Sequence, residues 1–289
     1  MSVFERRFLP GILGVLAAAL APIPAEARAA AASAVVKVEA LPGTIVRWSV
    51  PGTKRCGMGT RSWAALQETC YYPVDLLQTP AVLRVSRRGA GTAAYARISV
   101  LASSYGTEDI TLGDIPQANP SRADLRRNSR DQALVAKVWT RRDRPARFTL
   151  PLGPPASPLP EGKGFGVKWI FNGKPESSEV HSGTDYAVAP GTPVAAVADG
   201  TVVIAEDLFL TGKAVFIDHG DGLISMYFHF AELKVQAGQD VKKGETLGLV
   251  GSTGRVTGPH IHLGIRWHGA RIDPRLLLDD PARIPAIGP

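Results

Sequence analysis

Between positions 35 and 112 the apolar residues fall into short runs that are β-branched or alternate with polar ones: Val35 to Val38, Ile45 to Val50, Ala81 to Val85, Ala94 to Leu101 and Ile110 to Leu112. Gly, Pro and Ser separate the runs. A period of two sends successive side chains to opposite faces, so these runs predict the strands of a small antiparallel β-sandwich. The period then changes. Leu134, Val135, Val138 and Trp139 recur at helical spacing, and Asn119-Pro120 offers a cap residue followed by proline in the first turn, which predicts a helix running to about Arg142.

Pro151 to Gly164 holds five prolines and three glycines. Such a stretch has few backbone donors and a constrained backbone, and it predicts a linker. Beyond it the apolar runs are short and punctuated by glycine: Val194 to Val197, Thr201 to Ala205, Ala214 to Asp218, Ser225 to Phe228, Thr246 to Val250 and His260 to Arg266. No helical period intervenes. The expected fold class is therefore mainly all-β, with a β-sandwich domain carrying one helix (34–150), the linker (151–164), an antiparallel β domain (165–278) and a tail (279–289).

The 289 residues are 45% hydrophobic and 20% charged, an ordinary globular balance that excludes disordered and collagen-like classes. Arg6 and Arg7 precede the apolar stretch Leu9 to Ala21 and the small-residue site Ala25-Glu26-Ala27, the order of a secretory signal peptide. Residues 1–27 are thus expected to be removed on export. The alternative of a retained anchor is disfavoured because Pro10, Pro22 and Pro24 break a run already too short to span a bilayer. No stable membrane anchor is then expected, and the location is periplasmic or, alternatively, extracellular. In an oxidising compartment Cys56 and Cys70 are expected to form one disulfide, worth about 3 kcal/mol by loop entropy. Two reduced thiols are the alternative. The net charge of +7 favours anionic partners. Much of the excess lies between Arg122 and Arg147, where it is read first as a solvated helix face, and nucleic acid is a poor partner for an exported chain.

Candidate chemistry sits in the second half, in His181, Asp185, His219, His229, His260 and His262. In extended chain His181 and Asp185 share a face, as do His260 and His262, and Tyr227 and His229. A catalytic zinc site needs three nitrogen or oxygen ligands and an open position, and two histidines with one carboxylate supply them. The helical HExxH pattern is absent. His219, between Asp218 and Gly220, reads as a structural turn residue, and His268, beside Gly269, as a surface hairpin residue.

His181-Ser-Gly-Thr-Asp185, Tyr227-Phe-His229 and Gly258-Pro-His260-Ile-His262 have the H-x-x-x-D, Y-x-H and H-x-H patterns of a known family. Ala189-Pro-Gly-Thr-Pro-Val194, Ala198-Asp-Gly-Thr-Val202, Ile217-Asp-His-Gly220, Val241-Lys-Lys-Gly244, Gly251 to Gly258 and Ile272-Asp-Pro274 follow in the expected order. From about Phe165 to Leu278 the chain resembles the lysostaphin-like (LytM-type) zinc metallopeptidases. The resemblance implies a barrel-sandwich-like catalytic domain, one Zn2+ per chain held by His181, Asp185 and His262, and His229 and His260 as catalytic histidines. It implies peptidoglycan as the partner and hydrolysis of its stem peptides or cross-bridges as the activity. Two other functions compete. One is a LytM-type protein that activates other wall hydrolases without cutting; it would be expected to lack ligands, and none is lacking. The other is a carrier module, which would present a lysine at a hairpin tip, whereas Lys242-Lys243 sits in a turn of the family pattern. Where related envelope enzymes carry basic residues before the first histidine, this chain has Glu176 and Glu179, so Trp169, Phe209 and Lys213 are only candidate rim residues. A restraining role is conceivable for the N-terminal module, with a polar residue such as Asn119 at the metal.

Overall fold

Strands β1 (Lys37–Ala40), β2 (Ile45–Ser49), β3 (Arg55–Met58), β4 (Arg61–Ala64), β5 (Thr69–Pro73), β6 (Ala81–Arg88) and β7 (Ala93–Val100) make up the N-terminal part. This is seen in a computed structural model that describes residues 36–89, 91, 93–103, 105–140 and 144–288; the expected signal peptide, 1–27, lies outside the described residues. The strands form one sheet in the order β1-β7-β6-β3-β4 and a separate β2-β5 pair. The β1-β7 contact is parallel and the others antiparallel. Trp48, Tyr72, Val85 and Ile98 fill the core between the sheets. The Cys56–Cys70 disulfide joins β3 to β5, and hence one sheet to the other, with the Cα atoms 5.4 Å apart.

Strand β8 (Thr107–Ile110) leaves this module and runs parallel to β9 (Lys168–Phe171), which pairs with β10 (Lys174–Val180) in a three-stranded sheet. Between them lies helix α1 (Arg122–Val138). Its cap is Ser121 rather than Asn119: the Ser121 hydroxyl accepts from Asp124 N while the Asp124 carboxylate accepts from Ser121 N, a reciprocal box that satisfies two end donors. Asn119 and Pro120 stand outside the helix. Val138 packs with Ile204, Leu208, Phe216 and Met226, and the Arg266 guanidinium lies 4.1 Å from the centre of the Trp139 ring.

The third and largest sheet holds β11 (Gly183–Tyr186), β12 (Pro193–Ala195), β13 (Gly200–Leu208), β14 (Gly212–Asp218), β15 (Leu223–Leu233), β16 (Asp240–Val241), β17 (Thr246–Val250), β18 (Ile261–Trp267) and β19 (Ala270–Ile272). Its main order is β11-β18-β15-β14-β13-β16, all antiparallel, with β17 joining β12 to β15 and β19 flanking β18. The chain is mostly β, as its apolar pattern predicts. A short helix, α2 (Arg275–Leu278), follows the last strand.

The proline-rich segment is fastened to this sheet. Leu152 and Ala156 are buried, Gly153 N donates to Val197 O, and Lys163 exchanges two backbone hydrogen bonds with Asp185. The N-terminal module is fixed to the far end of β18. Asp75 grips Arg271 through both guanidinium and main-chain nitrogens, Tyr71 stacks on Trp267 at 5.3 Å, and the tail exchanges backbone bonds with Arg47. His268 is therefore buried, not a surface residue: its hairpin is covered by Trp63, whose ring centre is 4.3 Å away.

His219 is fully buried, and its neutral form is satisfied: Nδ1 donates to Asp199 O at 2.7 Å and Nε2 lies 2.6 Å from the Ser225 hydroxyl. The Ser225 and Tyr227 hydroxyls are 3.1 Å apart, and Tyr227 Oη accepts from Val197 N. Burial pushes the His219 pKa down to about 4. Between pH 6.5 and 4 the unfolded chain binds a proton that the folded chain refuses, so this group's contribution is complete above pH 6.5 and is lost as pH falls. We expect it to remove up to about 3 kcal/mol of stability across that window. Urea unfolding at pH 7 and pH 5 checks this: His219→Gln should lose less stability between the two than the wild type, and an equal loss would refute the assignment.

Candidate metal centre

Three side chains from separate places in the chain converge at one end of the large sheet. His181 opens the two-residue connection after β10, Asp185 lies on β11, and His262 lies on β18 directly opposite Asp185 in the strand register. His181 Nε2 is 2.9 Å from His262 Nδ1 and 3.2 Å from Asp185 Oδ1, and His262 Nδ1 is 3.0 Å from the same oxygen. Ligand atoms at 2.0–2.1 Å from a tetrahedral ion lie about 3.3 Å apart, so this triangle is slightly smaller than one tetrahedral face and close to it in shape. The donor chemistry fits a metal too. His181 Nδ1 donates to Gly164 O at 2.9 Å, which leaves Nε2 as a bare lone pair aimed at the group. The Trp169 ring stacks on His181 at 3.9 Å, and the Phe228 ring stacks on His262 at 4.6 Å.

Two more imidazoles border the group. His229 Nδ1 donates to Thr253 O and His260 Nδ1 to Gly258 O, both at 2.9 Å, so in each neutral ring Nε2 is unprotonated. His260 Nε2 is 3.6 Å from Asp185 Oδ1, and the His229 and His260 ring centres are 4.9 Å apart. All five residues singled out in the sequence thus meet in one place.

The Y-x-H alternation does not hold as expected. Tyr227 points into the core while both Phe228 and His229 line the cleft. His229 has φ +70°, a left-handed conformation rare outside glycine, and its N–H donates to Thr211 O on the neighbouring hairpin. That turn of the backbone brings two consecutive side chains to the same side.

The charges favour a cation. Burial opposes ionisation of Asp185, but the adjacent imidazoles of His181 and His262 outweigh it and hold the carboxyl well below the usual carboxylate range. Burial, helped by the neighbouring His262 and His260, pushes His229 down to about 3, so its ring is neutral at neutral pH. Burial likewise lowers His262 against the pull of Asp185.

The group lies in a cleft of about 500 Å³ whose walls include Trp169, Phe171, Glu179, Arg255 and, from β8, Glu108 and Ile110. Arg255 pairs with Glu179 at 2.6 Å and sits 4.0 Å over the Phe171 ring. Glu179 therefore faces a guanidinium from the 251–258 loop. Sequence reasoning missed Arg255 and the β8 wall: the first stood in a motif read for its glycines, and the second lies more than 70 positions before the first histidine. Of the candidate rim residues, Trp169 lines the cleft; Phe209 is buried, and Lys213 donates to Ala231 O. Asn119 is exposed and is not among the cleft residues.

Gly183 makes the close β11-β18 approach possible. A Cβ there would stand 2.4 Å from His262 Nε2 and 2.7 Å from Leu263 O. Gly183→Ala should therefore displace His262 and weaken divalent-metal binding at least tenfold, measured by competition with a chelating dye. Unchanged affinity would show that His262 is not held where a ligand must be.

Comparison with known proteins finds a family match over the segment that carries these residues. The sequence profile of peptidase family M23 matches residues 179–274. The peptidoglycan DD-endopeptidase ShyA of Vibrio cholerae is 45% identical over 93 residues, 32% of this chain and 22% of that protein. The DD-carboxypeptidase/endopeptidase Mpg of Neisseria meningitidis is 43% identical over 95 residues, 33% of this chain and 22% of that one. The chain thus spans about a fifth of the length of these curated relatives. A solved structure from Pseudomonas aeruginosa assigned to peptidase M23 superposes with a TM-score of 0.62 at 29% identity, covering 82% of this chain and 94% of that one, and so reaches beyond the matched domain.

Proposed function

We propose that this chain, which carries a peptidase family M23 domain at residues 179–274, is a zinc-dependent endopeptidase that hydrolyses peptide bonds in peptidoglycan stem peptides or cross-bridges. The observation that carries the proposal is the triangle of His181, Asp185 and His262 at the base of a cleft, with two further imidazoles presenting bare Nε2 atoms to it. The names of the matched relatives support the substrate class.

His181, Asp185 and His262 would hold the ion, and zinc bound there would act as a Lewis acid that makes water acidic and polarises the scissile carbonyl. His229, neutral and with Nε2 free, is suited to take a proton from attacking water and to return it to the leaving amine. His260, beside Asp185, is suited to donate a hydrogen bond to developing negative charge once protonated. Trp169 and Gly164 fix the ring of His181, so the ligand set is organised before a substrate arrives. A protein that only activates other hydrolases has no need of this complete set. Peptidoglycan as substrate implies an enzyme outside the cytoplasm, periplasmic or, alternatively, extracellular. The N-terminal β module is assigned the role of positioning the catalytic sheet, to which Asp75, Tyr71 and the tail fasten it.

Metal analysis and mass spectrometry of peptidoglycan digests test this with the mature chain. The wild type should hold one zinc and release peptide cleavage products. His262→Ala should lose the zinc, whereas His229→Ala should keep it and lose activity by a factor of about 10²–10⁴. A wild-type chain that binds no zinc, or identical products from all three proteins, would overturn the proposal.

A further inference from the structure

Helix α1 and the large sheet enclose a second groove, of about 350 Å³, beside the cleft. Its floor is apolar, built from Leu208, Phe216, Met226 and Phe228, and its helical wall presents Asn128, Asp131 and Gln132. Ser182, Leu210, Thr211, Phe228 and His262 border both hollows, so the two meet at the ligand triangle. Each has the volume of an ordinary ligand pocket.

The wall is held rigidly. The Asp131 carboxylate accepts from Phe209 N at 2.7 Å, Gln117 Nε2 donates to Phe209 O at 3.0 Å, and Arg127 donates to Asp207 O at 2.8 Å. Asn128, half-buried, and Gln132, exposed, are one helical turn apart, so both side-chain amides are open to a ligand from the groove. A primary amide offers a donor and an acceptor together, the same pair that an extended peptide displays at each main-chain unit.

We propose that α1 is the wall of a peptide subsite on one side of the scissile bond, with Asn128 and Gln132 hydrogen-bonding the main chain of the bound strand. This rests on the peptidase function proposed above. Because α1 lies outside residues 179–274, the N-terminal part of the chain completes the substrate groove.

The test uses the full mature chain, a purified cross-linked muropeptide dimer as probe, and the double variant Asn128→Ala/Gln132→Ala. KM should rise about five- to tenfold with kcat within twofold, while zinc content and melting temperature stay unchanged. In a His229→Ala background, calorimetric titration should show the dimer's Kd weakened by the same factor. A folded, zinc-loaded double variant with wild-type KM and Kd overturns the subsite, as does a His229→Ala chain that does not bind the dimer at all. If the dimer binds in a manner that depends on the two amides but the wild type does not cut it, the subsite stands and the peptidase assignment falls.

Discussion

The register between β11 and β18 is the constraint on which the site depends. Asp185 and His262 are directly opposed in it, and a slip of one residue would send one of them to the other face of the sheet. The alternation along β18 shows what prevents the slip. Ile261, Leu263, Ile265 and Trp267 are buried in the main core, whereas His262 and Arg266 face the cleft and α1. Shifting the strand would bury an arginine and a histidine while exposing four large apolar side chains. Each such side chain is worth about 1.5–3 kcal/mol of burial, so the core that stabilises the sheet also holds Asp185 and His262 in place.

What the register cannot place, the backbone of His229 supplies. Strand geometry alone would alternate Tyr227, Phe228 and His229 across β15. Instead Tyr227 anchors the buried hydroxyl chain to Val197 and Phe228 backs the ring of His262, while the left-handed turn at His229 swings a third side chain to the cleft. The strain is offset by bonds at both ends of the residue, from its N–H to Thr211 O and from Nδ1 to Thr253 O. A histidine so fixed keeps one tautomer and, being buried beside two other imidazoles, stays neutral. Both are properties that a proton acceptor needs.

Most of the large sheet was legible in the sequence because its central strands are apolar on at least one face; β17 appears at Thr246–Val250, where its run predicts it. The histidine and aspartate positions were legible as patterns because residues two and four apart in extended chain share a face. Other features were hidden for physical reasons. β3 and β4 read RCGM and RSWA, each burying one large or sulfur-bearing side chain, too little for a period to register. β8 reads TEDI and is exposed along most of its length, so the expected run Ile110 to Leu112 met it only at Ile110, and it pairs with β9 rather than within the N-terminal sandwich. The left-handed conformation of His229 left no trace, since nothing in its residue type or in the flanking Phe228 and Phe230 signals a break in alternation. His268 was misplaced because its burial comes from Trp63, some two hundred positions away.

The hairpin tip between β13 and β14 shows why distant parts of the chain converge on one centre. Its carbonyls receive the backbone N–H groups of His229, at Thr211, and of Arg255, at Leu210. From the other side α1 and Gln117 hold the Phe209 peptide group by both its donor and its acceptor. The tip is therefore fixed between the cleft and the N-terminal part, and its carbonyls cannot move without releasing one set of bonds. Displacing a hydrogen-bonded buried peptide group costs about 1–3 kcal/mol for each bond left unmade, which makes a floating tip unfavourable while α1 stays in place. Helix α1 and His229 are thus coupled through a single turn of three residues, and the geometry of the site is a property of the chain from α1 onward rather than of the matched domain alone.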